Sequence, residues 1–209
     1  IGLNTKSHFE ETAELYHRTP GDYPAYPRLF TRSIDSHVAQ GEPILVPRAS
    51  DRLDYEGEIA IVIGREGRAI AREQAVSYIG GYACYNDGSV RDFQQHTNQV
   101  LAGKNFVASG AFGPWIVTAD EIPDPSKLTL ETRVNGELRQ SMAMDDLIFA
   151  FDELITYIST IFHLRPGDVI VTGSPAGIGA LQGKYLRAGD VVEVTCPAVG
   201  TLRNPVADA

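Results

Sequence analysis

The stretch "DYEGEIAIVIG", Asp54 to Gly64, is a strand by composition, yet it opens with three acids, Asp54, Glu56 and Glu58. Side chains of a strand alternate between its two faces, so acids two residues apart share one face. Ile59 to Ile63 is apolar on both faces, the pattern of a strand covered from both sides. Carboxylates are almost never fully buried unless they are paired or bound to a metal. A core strand that begins in a ladder of negative charge therefore needs a counter-charge.

The surroundings of that strand bound the answer. A chain of 209 residues suits one domain, read here as residues 1–209, and 43% hydrophobic residues supply a sizeable core. The net charge of -9 argues against nucleic acid or an anionic membrane as the main partner, since both demand a basic face. Cys84 and Cys196 match no zinc spacing and read as reduced, buried and inert. No apolar run approaches the roughly 20 residues needed to span a bilayer, and the first residues turn polar at once, so a cytoplasmic protein is expected.

Outward from the acidic strand, short strands dominate. "EPILVP", "GYACYND", "FGPWIVT" and "GDVIV" read as strands, as does "GDVVEVTC" with a turn after it. Asn135-Gly136 between "LETRV" and "ELRQ" is a strong hairpin signal. "SHFEETAELY" reads as a helix capped by Ser7 with Glu10 three residues on, and "SVRDFQQHT" starts another. Leu147, Phe151, Leu154 and Ile158 form one stripe of the single prominent helix. The sum is a strand-dominated α+β domain with one prominent helix.

A second acid makes the first ones meaningful. Asp87 ends the apolar stretch "YIGGYACY", so a strand carries it out of the core towards the same region. Carboxylates from two strand ends form an oxygen-only site, which suits Mg²⁺, Mn²⁺ or Ca²⁺ better than zinc. "TGSPAGIG" lacks the lysine of a phosphate loop and the spacing of a dinucleotide fingerprint, which excludes a nucleotide motif.

Taken in order, "GLNTKSHFEE", "LDYEGEIAIVIG", "GYACYNDGSVRDFQ", "GKNF", "GAFGPWIVT", "RVNGELRQ", "LRPGDVIVTGSPAGIG" and "LRAGDVVEV" resemble the fumarylacetoacetate hydrolase family. The likeness runs from Gly2 to about Asn204. It implies a mixed β-roll, a homodimer, and a divalent metal held by Glu56, Glu58 and Asp87, with Asp54 beside them but not a ligand. It also implies that His8 and Glu11 form a water-activating pair, although their spacing alone equally fits an exposed helical pair worth ~0.2–0.5 kcal/mol. By the same resemblance Lys104 steadies an oxyanion, Arg91 and Gln94 hold the substrate carboxylate and carbonyl, and Thr172 or Ser174 presents a hydroxyl.

Arg91 has a simpler alternative, an ion pair with Asp92 or Asp87. Arg32 stands where many members have Lys, and Ser174 where many have Thr. Tyr23 and Tyr26, in a proline-rich loop, are candidates to contact substrate, while His163 reads as a helix-end residue. Many members of the family carry a small domain before "GLN", where this chain begins without Met.

The expected activity is metal-dependent hydrolysis of a carbon–carbon bond in a 1,3-dicarbonyl acid of the acylpyruvate type, through a metal-stabilised enolate. Isomerisation, hydration or decarboxylation of 2-oxo or 2-hydroxydienoic acids is the alternative that the resemblance also allows. A catalytically silent metal-binding β-domain is a further alternative, weakened by the presence of His8, Glu11 and Lys104.

Overall fold

In the computed structural model, which describes residues 1–209, two five-stranded mixed sheets face each other across the core. The first runs in the order β1 (His37–Val38), β7 (Gly110–Thr118), β5 (Ile79–Asn86), β4 (Gly57–Ile63) and β10 (Val169–Val171). The second runs β2 (Ile44–Val46), β12 (Gly200–Asp208), β11 (Val191–Cys196), β8 (Thr129–Val134) and β9 (Glu137–Ala143). Each sheet has one parallel pair at its edge, β1 with β7 and β2 with β12, and is otherwise antiparallel.

Strand β4 is buried along its whole length, as its unbroken apolar run requires. Ile59, Ile61 and Ile63 point into the main core with Tyr82 and Cys84 of β5, against Leu130, Val192, Val194 and Leu202 of the opposite sheet. Ala60, Ala83 and Tyr85 form a smaller cluster on the other face. Gly57 lets the sheets approach: a Cβ there would lie 1.9 Å from Thr132 Oγ1. At the hairpin, Asn135 and Gly136 both take positive φ (52° and 78°), the left-handed geometry that a two-residue turn between twisted strands needs.

The helices are short: α1 (Lys6–Glu11), α2 (Arg72–Ala75), α3 (Arg91–Gln94), α4 (Leu101–Lys104) and the longest, α5 (Phe151–Ile161). None is long and apolar enough to cross a membrane. Two expectations about them need correction. Thr5, not Ser7, caps α1 by accepting from the His8 amide, and the helix ends at Glu11, where the Thr12 amide and hydroxyl both donate to His8 O. Ser7 binds Asp146 instead, and Glu10 reaches the Gly21 amide and the Tyr23 hydroxyl.

Leu147 is buried but precedes α5: it is extended, and the amides of Ile148 and Phe149 that follow it are held by Asn4. Met142 and Met144 lie in the core. Both cysteines are free and buried, and burial pushes the Cys84 thiol up to about 12, consistent with inert thiols.

Candidate active site

The acidic stretch is two strands, not one. Leu53 and Asp54 form β3, which pairs with β6 (Ser89–Val90), and after Tyr55 and Glu56 the chain changes partner to β5. At this joint the Asp87 amide donates to Glu56 O at 2.7 Å, so the two acids face each other across the antiparallel pair. Carboxylate oxygens of Glu56, Glu58 and Asp87 come within 4.8 Å of one another, and all three residues are buried.

Asp54 turns away from this cluster, so the shared face predicted for three acids holds only for Glu56 and Glu58. The Asp54 carboxylate accepts from the amides of Tyr55, Gly179 and Ala180 and from Arg91 Nε, fixing the glycine loop that follows β10.

The cluster forms the floor of a cavity of about 590 Å³. Lys104, at the end of α4, is only 2% exposed, and its Nζ lies 2.6 Å from both Glu56 Oε2 and Asp87 Oδ2. Arg91, the first residue of α3, pairs with Asp54 at 2.8 Å and Glu56 at 2.6 Å, and not with Asp92 or Asp87 as its simpler reading allowed. Its Nη2 is buried without a partner, while Nη1 also donates to Gln94 Oε1 at 3.0 Å. Arg91 and Gln94 both line the cavity.

The charges divide the two glutamates sharply. Burial opposes ionisation of Glu56, but Lys104 and then Arg91 outweigh it and hold its carboxyl well below the usual range. Glu58 has no salt-bridge partner: burial, reinforced by Asp87 and Glu56 and only partly offset by the N-terminal ammonium and Lys104, pushes it up to about 8. A buried carboxyl that resists ionisation beside Glu56 and Asp87 marks a site short of positive charge. Three converging oxygen donors fit a hard divalent cation, which would supply that charge.

His8 lines the same cavity from α1, and its Nδ1 lies 2.6 Å from Glu11 Oε1. Glu11 is itself held by the Gly177 amide at 2.9 Å. The predicted hydroxyls separate: Ser174 lines the cavity and accepts from Gln140 Nε2, whereas Thr172 Oγ1 donates to Ile59 O inside the fold.

Tyr23 and Tyr26 do not line the cavity. Tyr23 packs edge-on against Phe9, and Tyr26 lies by Tyr157. His163 pairs with Glu66 just beyond α5. Sequence reasoning missed the outer wall, where Arg18 and Arg28 line the cavity and neither has a carboxylate partner. Their only signal was a cluster of cations around the proline-rich loop.

A mixed β-roll whose cavity gathers three buried carboxylates, a buried lysine and a His–Glu pair defines an enzyme fold built around a candidate divalent-metal site. The sequence model described as fumarylacetoacetate (FAA) hydrolase C-terminal matches residues 1–207, and the chain belongs to that family.

It is 38% identical over 209 residues to oxaloacetate tautomerase YisK of Bacillus subtilis, covering 99% of this chain and 68% of the relative. Its fold matches 5-carboxymethyl-2-hydroxymuconate delta-isomerase from Mycobacterium smegmatis with a TM-score of 0.86 and 35% identity, over 100% of this chain and 77% of the other. Fumarylacetoacetate hydrolase from Exiguobacterium antarcticum matches with a TM-score of 0.86 and 37% identity, over 100% and 74% respectively.

Proposed function

We propose that this enzyme hydrolyses a carbon–carbon bond in a 1,3-dicarbonyl 2-oxo acid of the acylpyruvate type, with Glu56, Glu58 and Asp87 holding a divalent cation. The observation that carries the reading is the His8–Glu11 pair opening onto the same cavity as the carboxylates. When bound, the cation supplies Lewis-acid polarisation of the 2-oxo group.

Arg91 and Gln94, which both line the cavity, are the residues that hold the substrate carboxylate. Arg18 and Arg28 on the outer wall favour the approach of an anion. Glu11 keeps the proton of His8 on Nδ1, which leaves Nε2 to take a proton from water. The hydroxide attacks the distal carbonyl carbon. Lys104, with two of its N–H donors on carboxylates and the third in only a long 3.5 Å contact with Asp87 O, turns that third donor to the developing oxyanion. As the carbon–carbon bond breaks, its electron pair passes to the leaving pyruvate unit, and the His8 proton returns to that carbon.

A second reading is favoured by the 38% identity to an oxaloacetate tautomerase. In it the same base moves a proton between carbon and oxygen of a 2-oxo acid without cleavage.

Pyruvate release from a panel of acylpyruvates, set beside oxaloacetate enol-to-keto conversion with Mg²⁺ or chelator, separates the two. Chelator-sensitive pyruvate release that His8→Ala abolishes supports the hydrolase. Tautomerisation with no pyruvate release from any acylpyruvate would replace it.

A further inference from the structure

Each carboxylate of the cluster has one oxygen tied by a donor other than Lys104. Arg91 Nη1 holds one oxygen of Glu56, the Gly173 amide holds Oε2 of Glu58, and Arg32 Nη1 holds Oδ1 of Asp87 at 2.6 Å. One oxygen of each acid remains, and two of those three face Lys104 alone.

The Arg32 clamp is the most fully built of the three. Arginine has five N–H donors in a rigid planar fork, and here all five are used. Nε donates to Ser36 Oγ at 3.2 Å, Nη1 to Asp87 Oδ1 and to Gly88 O at 3.1 Å, and Nη2 to Ser36 O at 3.2 Å and Ser109 Oγ at 2.7 Å. The guanidinium lies directly over Gly110, where a Cβ would stand 2.8 Å from Cζ and both terminal nitrogens. A lysine has three donors and no plane, and it could not fix the carboxylate in this way.

We propose that Arg32 is a positioning residue that restricts Asp87 to a single ligand oxygen and thereby biases the site towards Mg²⁺ and Mn²⁺ over Ca²⁺. The proposal rests on the metal reading of Glu56, Glu58 and Asp87 given above. Ca²⁺ takes six to eight oxygens and commonly draws both oxygens of a carboxylate, whereas Mg²⁺ is satisfied by single oxygens and retained waters in a near-octahedral shell. With Arg32 in place, Asp87 cannot rotate to offer a second oxygen without breaking a buried ion pair.

Calorimetric titration of metal-free protein with MgCl₂ and with CaCl₂ tests this, in the wild type and in Arg32→Lys. The expected result is a shift of the Mg²⁺-to-Ca²⁺ affinity ratio towards Ca²⁺ by about tenfold, the lower end of what outer-shell partners contribute to metal affinity. Gly110→Ala keeps the charge of Arg32 but displaces its guanidinium, and it shifts the ratio the same way. Parallel losses of both affinities with the ratio unchanged would reduce Arg32 to a structural residue and overturn the proposal. Wild-type protein that binds neither cation would instead remove the metal reading, and the proposal with it.

Discussion

Lys104 Nζ bridges Glu56 Oε2 and Asp87 Oδ2, at 2.6 Å from each, so a single buried ammonium occupies the charge position that a cation would share. Removing one partner of a buried ion pair costs ~3–5 kcal/mol, because the remaining charges stay desolvated. Lys104→Met is therefore expected to melt markedly lower than wild type when metal-free. Added Mg²⁺ should raise its melting temperature more than it raises that of wild type. Turnover should fall by ~10²–10³, the loss typical of a missing oxyanion donor. Melting curves with and without Mg²⁺ check the first two effects, and an equal Mg²⁺ shift in both proteins would disprove the shared position.

Glu11 acts through hydrogen-bond polarity. Its carboxylate accepts from the Gly177 amide through Oε2 and from His8 Nδ1 through Oε1. In Glu11→Gln the amide oxygen keeps the Gly177 bond, and the amide nitrogen then donates to His8 Nδ1. The imidazole proton moves to Nε2, and the base that faces the cavity is lost. Turnover should fall by ~10²–10⁴ with little change in melting temperature. Single-turnover kinetics beside thermal melting measure both, and a Glu11→Gln enzyme with near wild-type turnover would exclude the pair as the base.

Glu58 links pH to metal. Burial, with Asp87 and Glu56 adding repulsion, raises its carboxyl from 4.5 to about 8 in the metal-free fold. The folded chain thus keeps a proton that the unfolded chain releases, and this stabilisation is complete below about pH 4.5 and lost as pH rises through about 8. Metal-free protein should lose on the order of a few kcal/mol across that window. Mg²⁺ affinity should rise over the same range, since the cation binds the ionised form. Denaturant melts at pH 5 and pH 8, with chelator or Mg²⁺, test it. A metal-free protein more stable at pH 8 than at pH 5 would contradict the assignment.

What was legible in the sequence was local. The apolar run of β4 and the Asn135-Gly136 turn carry their own geometry; strand ends brought Asp54, Glu56, Glu58 and Asp87 to one region, and only the family resemblance singled out the last three. What was not legible depends on partners far along the chain. Asn4 holds the Phe149 amide ahead of α5 from 145 residues away, and the Arg91 guanidinium chooses Asp54 over its neighbour Asp92 only because β3 and β6 lie side by side. Asp54 fits the period-2 pattern of its neighbours, yet a change of strand partner at Tyr55 and Glu56 removes it from their site. Periodicity reports a face only while a strand keeps one partner.

Asp54 yields the sharpest separation of stability from chemistry. Its carboxylate satisfies three backbone amides and Arg91 Nε while entirely buried. Asp54→Ala would leave those donors unpaired and strip Arg91 of one of its two ion-pair partners, at a cost of ~3–5 kcal/mol. The glycine loop after β10 would loosen, because the Gly179 and Ala180 amides hang on this side chain. Asp54→Asn keeps one acceptor oxygen and should cost roughly half as much. Since Asp54 takes no part in the carboxylate cluster, Mg²⁺ should still bind whichever variant folds, with affinity changed mainly through Arg91 and Glu56. Urea unfolding of the two variants, paired with Mg²⁺ calorimetry, gives the comparison. Complete loss of Mg²⁺ binding in folded Asp54→Asn would make Asp54 a fourth member of the site.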